Sequence, residues 1–215
     1  MTLEHLILMR HGETEWNRGH RLQGHRDIPL SDVGRMQAVD AAPSVAALRP
    51  EVIVASDLSR ARATAEAVAT LRELPVVVDP RLRETSMGKW EGLTRDEVVV
   101  DWSREWNDWR TTSAHASPPG GESRWQVAAR AAAVVYELDA GSVTRALLVS
   151  HGGTIVGLTG RLLVLPEDSW GTLVGVGNCH WVVLHRYAGA WRLHSYNAGL
   201  GGLVLPRGED QVAGT

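Results

Sequence analysis

Two His-Gly pairs are the residues of this sequence that most directly suggest chemistry. His11 is followed by Gly12 and His151 by Gly152, and each pair comes just after a short apolar segment. A histidine supplies a nitrogen nucleophile or, when protonated, a charged donor near neutral pH. A following glycine lets the backbone approach a ligand closely. Either histidine alone is more typical of a structural residue, so the interpretation depends on what lies beside them.

Arginine and glutamate side chains also follow predicted strands. Arg10 directly precedes the first histidine, and Arg60 is expected in the first turn of a helix, where backbone N–H groups already favour anions. Glu84 could protonate a leaving alkoxide and then activate water. Taken singly, Arg60 suggests a solvated helix residue, and Glu84 an ordinary ion pair with neighbouring arginines. Together they predict a phosphate pocket that contains an imidazole and a carboxyl group.

Alternating strands and helices are expected to position these residues. Short apolar segments predict strands over residues 3–9, 52–55, 76–78 and 146–149, and a closing hairpin over 181–185 and 191–195. Helices are predicted over residues 33–48, through Arg60 to about 71, over 122–138, and from Gly152 to about 163. Ser31 or Asp32 should cap the first of them, and Ser56 and Asp57 the second.

This alternation favours an α/β fold, a three-layer sandwich with a mostly parallel central sheet. Ligands of open α/β sheets bind at the carboxyl ends of the strands, so the residues described above should meet there. The length fits one domain spanning residues 1–215.

The Trp-rich segment at about 101–121 is predicted to be an irregular excursion over one end of the sheet. Trp102, Trp106 and Trp109 lie at spacings of four and three, which places them on one helical face. They could form an aromatic wall for a sugar, or simply pack the excursion onto the body of the domain.

Composition and charge exclude several classes of protein. The net charge of −3 argues against a general nucleic-acid surface or a polybasic membrane surface. The uncharged stretches are too short for a spanning helix, no basic and then apolar leader is visible, and Cys179 alone cannot form an intrachain disulfide. We expect a cytoplasmic protein without nucleic-acid or membrane partners. The oligomeric state is open, with a homodimer as one option.

Other catalytic signatures are missing from the sequence. The one lysine, Lys89, precedes Trp90, which excludes a P-loop, and residues 175–177 lack the third glycine of a dinucleotide fingerprint. Neither a Gly-x-Ser-x-Gly elbow nor a His-Glu-x-x-His motif occurs. His180 and His185, five apart on a predicted strand, should face opposite sides, so no metal site is expected.

Nearly the whole chain resembles the histidine phosphatase superfamily, which has the phosphoglycerate mutase-like fold. The resemblance begins at residues 8–17, Leu-Met-Arg-His-Gly-Glu-Thr-Glu-Trp-Asn. It continues at residues 21–24, 30–34, 56–61, 82–84, 88–92, 120–123 and 149–153. Several of these blocks, with residues 177–181, are most similar to the glucosyl-3-phosphoglycerate phosphatases of that superfamily.

The resemblance implies a role for each matched residue. His11 would be the nucleophile that becomes phosphohistidine, and Glu84 the general acid and base. The phosphoryl group would be bound by Arg10, Asn17, Gln23, Gly24, Arg60, His151 and Gly152. No metal or other cofactor would be needed. The adjacent arginines should disfavour the protonated form of His11 and so keep it nucleophilic. If Glu84 is the proton donor, the rate should be highest at acid to neutral pH.

The choice within the superfamily depends on access of water to the phosphoenzyme. Mutases of this family look longer and carry a basic insertion after the acidic residue. Here the segment from Glu84 to Gly121 is short and holds four cations. We therefore expect a metal-independent phosphomonoesterase acting on a small phosphorylated metabolite, with glucosyl-3-phosphoglycerate as one candidate. Phosphoglycerate mutase-type transfer, a broad-specificity acid phosphatase, and a binding module that has lost turnover are the alternatives.

Overall fold

A six-stranded sheet forms the centre of the computed structural model, which describes residues 2–111 and 114–200. The strands are β1 (His5–Arg10), β2 (Val52–Ala55), β3 (Val76–Val78), β4 (Arg145–Ser150), β5 (Trp181–Tyr187) and β6 (Ala190–Ala198). Their order is β3-β2-β4-β1-β5-β6. The first four strands are parallel, whereas β5 and β6 form an antiparallel hairpin on β1. The predicted mostly parallel sheet is confirmed.

Helices cover both faces of this sheet. They are α1 (Glu15–Arg18), α2 (Asp32–Ala46), α3 (Ser59–Arg72), α4 (Arg95–Thr111), α5 (Arg124–Ala140) and α6 (Gly152–Leu162). Successive residues of β1 alternate between two apolar clusters, so that Leu6 and Leu8 pack with α5 and α6, while Ile7 and Met9 pack with α2 and α3. Burial on both sides explains why β1 reads as a continuous apolar run. The three-layer α/β prediction is therefore confirmed. Within the described residues, no helix combines the length and apolarity needed to cross a membrane.

Side-chain caps begin two of the longer helices. The Ser31 hydroxyl accepts from the Gly34 amide at 3.0 Å, so the serine, and not Asp32, caps α2. Ser123 and Gln126 form a reciprocal capping box at the start of α5, slightly later than predicted. The predicted caps of α3 are wrong. That helix begins after Leu58, whose side chain cannot cap it, and the Ser59 amide donates to the Asp27 carboxylate at 2.8 Å instead.

The prediction of an irregular excursion from residue 101 is wrong for its first half. Residues up to Thr111 belong to α4, which has a non-helical kink at Trp102. Trp106 and Trp109 are buried against Trp90 in a small aromatic cluster, and this tertiary packing holds a helix whose own sequence is largely charged. The chain returns to α5 through irregular structure after Ala114. Residues 112 and 113 lie outside the described residues.

Candidate active site

The register of β1 and β4 brings the two His-Gly pairs together. Arg10 lies opposite Ser150 in the parallel ladder, so the next residue of each strand leaves the sheet at the same edge. The rings of His11 and His151 have their centroids 5.0 Å apart at an interplanar angle of 61°. Both side chains are buried, with 2% and 0% of their surface exposed. The sequence prediction that these histidines meet at the carboxyl ends of the strands is confirmed.

One nitrogen of His11 is committed to the backbone. Nδ1 lies 2.7 Å from the carbonyl oxygen of Gly12, which can only accept a hydrogen bond. The proton must therefore be on Nδ1 in the neutral ring, which leaves the lone pair on Nε2. Burial, and then the charges of Arg60 and Arg10, hold the pKa of His11 well below its ordinary value. The ring is thus kept neutral with an available nucleophilic nitrogen.

The loop that carries His11 is fixed by close packing of glycines. A Cβ on Gly12 would lie 2.4 Å from the carbonyl oxygen of Gly34, and a Cβ on Gly34 would lie 2.0 Å from that of Glu13. The Gly12 amide donates to the Thr64 hydroxyl at 3.0 Å. Only residues without side chains allow the loop to contact the start of α2 this closely.

Arg60 lies in the first turn of α3 and is fully buried. Its guanidinium donates to the carbonyl oxygens of Arg26 at 2.8 Å and Gly24 at 3.0 Å, and the described residues pair it with no carboxylate. Burial lowers the pKa of Arg60 to about 10, so it remains charged at neutral pH. Gly24 has a φ of +50°, and its Cβ would collide with Glu91. The Gly24 carbonyl therefore orients Arg60.

Arg10 is the last residue of β1, and Asn17 and Gln23 are buried in the segment that follows it. Arg10 is buried and donates to the Val176 carbonyl at 2.8 Å, and its burial lowers its pKa. Thr14 connects the two amides, because its amide donates to Asn17 Oδ1 at 3.0 Å and its hydroxyl to Gln23 Oε1 at 3.0 Å. These hydrogen bonds to the side-chain oxygens fix the orientation of Asn17 and Gln23.

The Glu84 carboxylate lies at the N-terminus of α6, the helix that begins directly after His151. It accepts hydrogen bonds from the amides of Thr85 at 2.8 Å, Gly153 at 3.2 Å and Thr154 at 3.2 Å. A Cβ on Gly153 would lie 2.7 Å from Oε1, so this glycine is needed for the carboxylate to approach the helix. Glu84 is 95% buried and therefore belongs to the pocket, not to a surface ion pair.

His151 has unused hydrogen-bonding capacity. Neither ring nitrogen has a hydrogen-bond partner among the described residues, although both are buried. Burial and the charge of Arg60 hold the pKa of His151 well below its ordinary value. Buried polar atoms without partners are costly, and a ligand oxygen that accepts from the protonated ring nitrogen would satisfy that nitrogen. Two arginine charges and two neutral imidazoles therefore lie close together at this edge of the sheet, a combination suited to binding a phosphoryl group.

Three further residues support the site and were not identified from the sequence. The Asn178 amide donates to the His11 carbonyl at 3.0 Å, and Thr64 holds Gly12 as described above. Arg130 on α5 donates to the carbonyls of Arg83 at 2.7 Å and Glu84 at 2.8 Å. Only Asn178 carried a signal in the sequence, since it lies in the block of residues 177–181.

The described residues contain no group of three or more histidine, cysteine, aspartate or glutamate side chains arranged to hold a metal ion.

The model of the histidine phosphatase superfamily (branch 1) matches residues 6–199. The chain belongs to the histidine phosphatase superfamily. It is 43% identical over 217 residues to the glucosyl-3-phosphoglycerate phosphatase of Mycolicibacterium vanbaalenii, covering 92% of this chain and 96% of that protein. It is 39% identical over 166 residues to a probable phosphoglycerate mutase of Cronobacter sakazakii, covering 75% of each.

A solved structure gives the same fold. A mycobacterial glucosyl-3-phosphoglycerate phosphatase in complex with VO3 superimposes with a TM-score of 0.85 at 40% identity, covering 91% of this chain and all of that chain. The resemblance deduced from residues 8–17 and the later blocks is confirmed over residues 6–199.

Proposed function

We propose that this histidine phosphatase is a metal-independent phosphomonoesterase that acts through a phosphohistidine at His11. The observation that carries the proposal is the 2.7 Å contact between His11 Nδ1 and the Gly12 carbonyl, in a ring kept neutral by burial and arginine. That contact directs the Nε2 lone pair away from the backbone. A neutral imidazole beside two guanidinium groups is suited to attack a phosphate ester.

The first half-reaction forms the phosphoenzyme. Arg10, Arg60 and His151 bind the phosphoryl oxygens and neutralise the charge of the dianion. Nε2 of His11 forms a bond to phosphorus as the bond from phosphorus to the ester oxygen breaks, and Glu84 gives its proton to the departing alkoxide. The Nδ1–H bond to Gly12 stabilises the positive charge that the ring acquires.

The second half-reaction returns the enzyme to its starting state. A water molecule attacks phosphorus, Glu84 accepts a proton from it, and the bond between phosphorus and Nε2 breaks. The products are inorganic phosphate and the neutral His11 ring, with Glu84 again protonated. Contacts of Asn17, Gln23, Gly24 and Gly152 with the phosphoryl group remain predictions, which the location of these residues around the pocket supports.

The names of the relatives favour glucosyl-3-phosphoglycerate as the substrate. The relative at 43% identity is matched over 92% of this chain. Hydrolysis is favoured over mutase transfer because the segment between Glu84 and α5 is short, contains α4 and holds only four lysine or arginine residues. The similarity to a probable phosphoglycerate mutase keeps transfer to a second hydroxyl as the competing outcome. The cytoplasmic location and the homodimer option also remain predictions.

The decisive experiment compares His11→Asn with His20→Asn, a matched change at an exposed histidine. With p-nitrophenyl phosphate and a chelator present, native protein and His20→Asn should release nitrophenol, whereas His11→Asn should be inactive. Activity that survives His11→Asn would refute the phosphohistidine route, and loss of all activity in chelator would indicate a metallohydrolase.

A panel of phosphate esters then defines the reaction. Glucosyl-3-phosphoglycerate, 3-phosphoglycerate and sugar phosphates should yield inorganic phosphate. An isomerised ester in place of free phosphate would assign the protein to the mutases, and equal rates on all members would indicate a broad-specificity phosphatase.

A further inference from the structure

A cleft of about 460 Å³, its open mouth included, adjoins the phosphate pocket. Thr85 and Gly152 line it on the side of the catalytic residues, since they directly follow Glu84 and His151 in the chain. Trp109, Arg110 and Arg124 line it on the side of α4 and α5. A substrate whose phosphate lay between the two histidines would therefore extend its alcohol portion toward these arginines.

Arg124 is a buried cation that no acidic side chain of the described residues contacts. Its side chain is 5% exposed, and burial alone lowers its pKa to about 10, so it remains charged at neutral pH. Its guanidinium donates to the Trp109 carbonyl and lies 4.3 Å from the centroid of the Trp109 ring. The described residues place no carboxylate in contact with it. A buried charge that only a carbonyl and an aromatic ring compensate is costly unless a ligand supplies the counter-charge.

Other polar atoms that line the cleft near Arg124 are mostly hydrogen-bond donors that have no acceptor. Nε of Arg110, Nε1 of Trp109 and the hydroxyl of Thr85 are buried, and none of them has a hydrogen-bond partner among residues 2–111 and 114–200. These three residues and Arg124 line one cleft. An excess of unsatisfied donors around a positive charge is complementary to an acceptor-rich anion.

We propose that this cleft binds a carboxylate on the alcohol portion of the substrate, and that Arg124 is the residue that selects it. The inference rests on the phosphatase activity proposed above and names the residue that would recognise the carboxylate of a phosphorylated hydroxy acid. The guanidinium fork matches a planar carboxylate in a bidentate pair, and stacking on Trp109 holds that fork in one plane. Arg110 adds a second charge at the half-exposed mouth.

The test uses two esters with the same three-carbon skeleton. 3-Phosphoglycerate carries a carboxylate where glycerol 3-phosphate carries a hydroxymethyl group. The native enzyme should prefer 3-phosphoglycerate by at least tenfold in kcat/KM. Arg124→Gln should reduce that ratio at least tenfold, mainly through KM for the carboxylated ester. Arg104→Gln, whose side chain is 90% exposed on α4, is the matched control and should keep the native ratio.

Several outcomes would overturn the inference. If Arg124→Gln lowers kcat/KM for both esters equally, Arg124 only supports the packing of α4. If fructose 1,6-bisphosphate is preferred to 3-phosphoglycerate, the second anion is a phosphate. If Arg124→Gln fails to fold, the ratio of kcat/KM for the two esters is measured in Arg110→Gln, which should also reduce it. In that case D-glycerate must also inhibit the native enzyme competitively, and glycerol must not.

The two proposals fail separately. Turnover of p-nitrophenyl phosphate without any preference for the carboxylated ester would refute the selective role of Arg124 and leave the phosphatase proposal intact. Loss of p-nitrophenyl phosphate turnover in the native protein would refute the phosphatase proposal itself.

Discussion

The imidazole rings of His11 and His151 lie 5.0 Å apart although most of the chain separates the two residues. Their proximity follows from the parallel pairing of β1 with β4, in which Arg10 and Ser150 are opposite each other. Both rings are buried beside arginine and both have a lowered pKa. The burial and the arginine charges that suit this site to a phosphate therefore also make both histidines hard to protonate.

Stability should consequently fall as the solution becomes more acidic than the ordinary pKa of histidine. Because the folded pKa values of His11 and His151 are lowered, the unfolded chain binds more protons below about pH 6.5. Each buried ring then removes about 1.4 kcal/mol of unfolding free energy per pH unit, until its folded pKa is reached. Above about pH 6.5 the two rings are neutral in the folded and the unfolded chain, so no such loss occurs there. Urea unfolding without phosphate at pH 7.5, 6.0 and 5.0 measures the slope.

The variant His151→Gln should flatten that slope by about 1.4 kcal/mol per pH unit. His20→Gln, a change at an exposed histidine, should leave it unchanged. An unaltered slope in His151→Gln would mean that the ring is protonated in the folded protein.

Glu84→Gln should separate good leaving groups from poor ones. An amide cannot donate the proton that an alkoxide needs, so single-turnover release of glycerol from glycerol 3-phosphate should slow by roughly 10²–10⁴. Nitrophenolate leaves without a proton, so its release from p-nitrophenyl phosphate should slow much less. Glu105→Gln, at an exposed position of α4, is the control. Equal losses with both esters would contradict the role of Glu84 as proton donor.

Much of the site was predictable because its signals are local. The apolar runs that became β2 and β3 have the bounds expected from the sequence, and the residues following each strand mark the edge where the histidines meet. Arg60 was placed correctly in the first turn of a helix. Parallel α/β topology brings the carboxyl ends of the strands to one edge of the sheet, so the meeting of these residues could be predicted without the strand order.

What the sequence did not reveal depends on long-range contacts. α4 is stabilised by the packing of Trp106 and Trp109 on Trp90, which lies in a different part of the chain. Asp57 is bound by Arg83, and the first amide of α3 donates to Asp27 from an earlier part of the chain. Of the three tryptophans considered as a wall for a sugar, Trp109 lines the cleft, and Trp106 is buried in the aromatic cluster. None of these partners is adjacent in sequence.

Gly12→Ala should damage both stability and activity. The new Cβ would lie 2.4 Å from the backbone oxygen of Gly34, and neither backbone can give way without moving the other. We expect a loss of roughly 1–3 kcal/mol in unfolding free energy and a lower kcat, since His11 shifts with the loop. Gly19→Ala is the control, because its Cβ would be 3.4 Å from the nearest atom and its φ is −83°. Native stability in Gly12→Ala would show that the loop is not tightly packed.

Gly153→Ala tests the position of the Glu84 carboxylate without removing it. The added Cβ would lie 2.7 Å from Glu84 Oε1 and 2.8 Å from the Thr85 hydroxyl, which are side-chain atoms that can move aside. Because alanine favours helix relative to glycine, unfolding free energy should change by less than about 1 kcal/mol. The displaced carboxylate should nevertheless lower kcat at least tenfold for alkyl phosphates and less for p-nitrophenyl phosphate. If kcat is unchanged for both esters, proton transfer does not depend on the position in which the Gly153 amide holds Glu84 Oε2, and the proposed need for a glycine at this site is refuted.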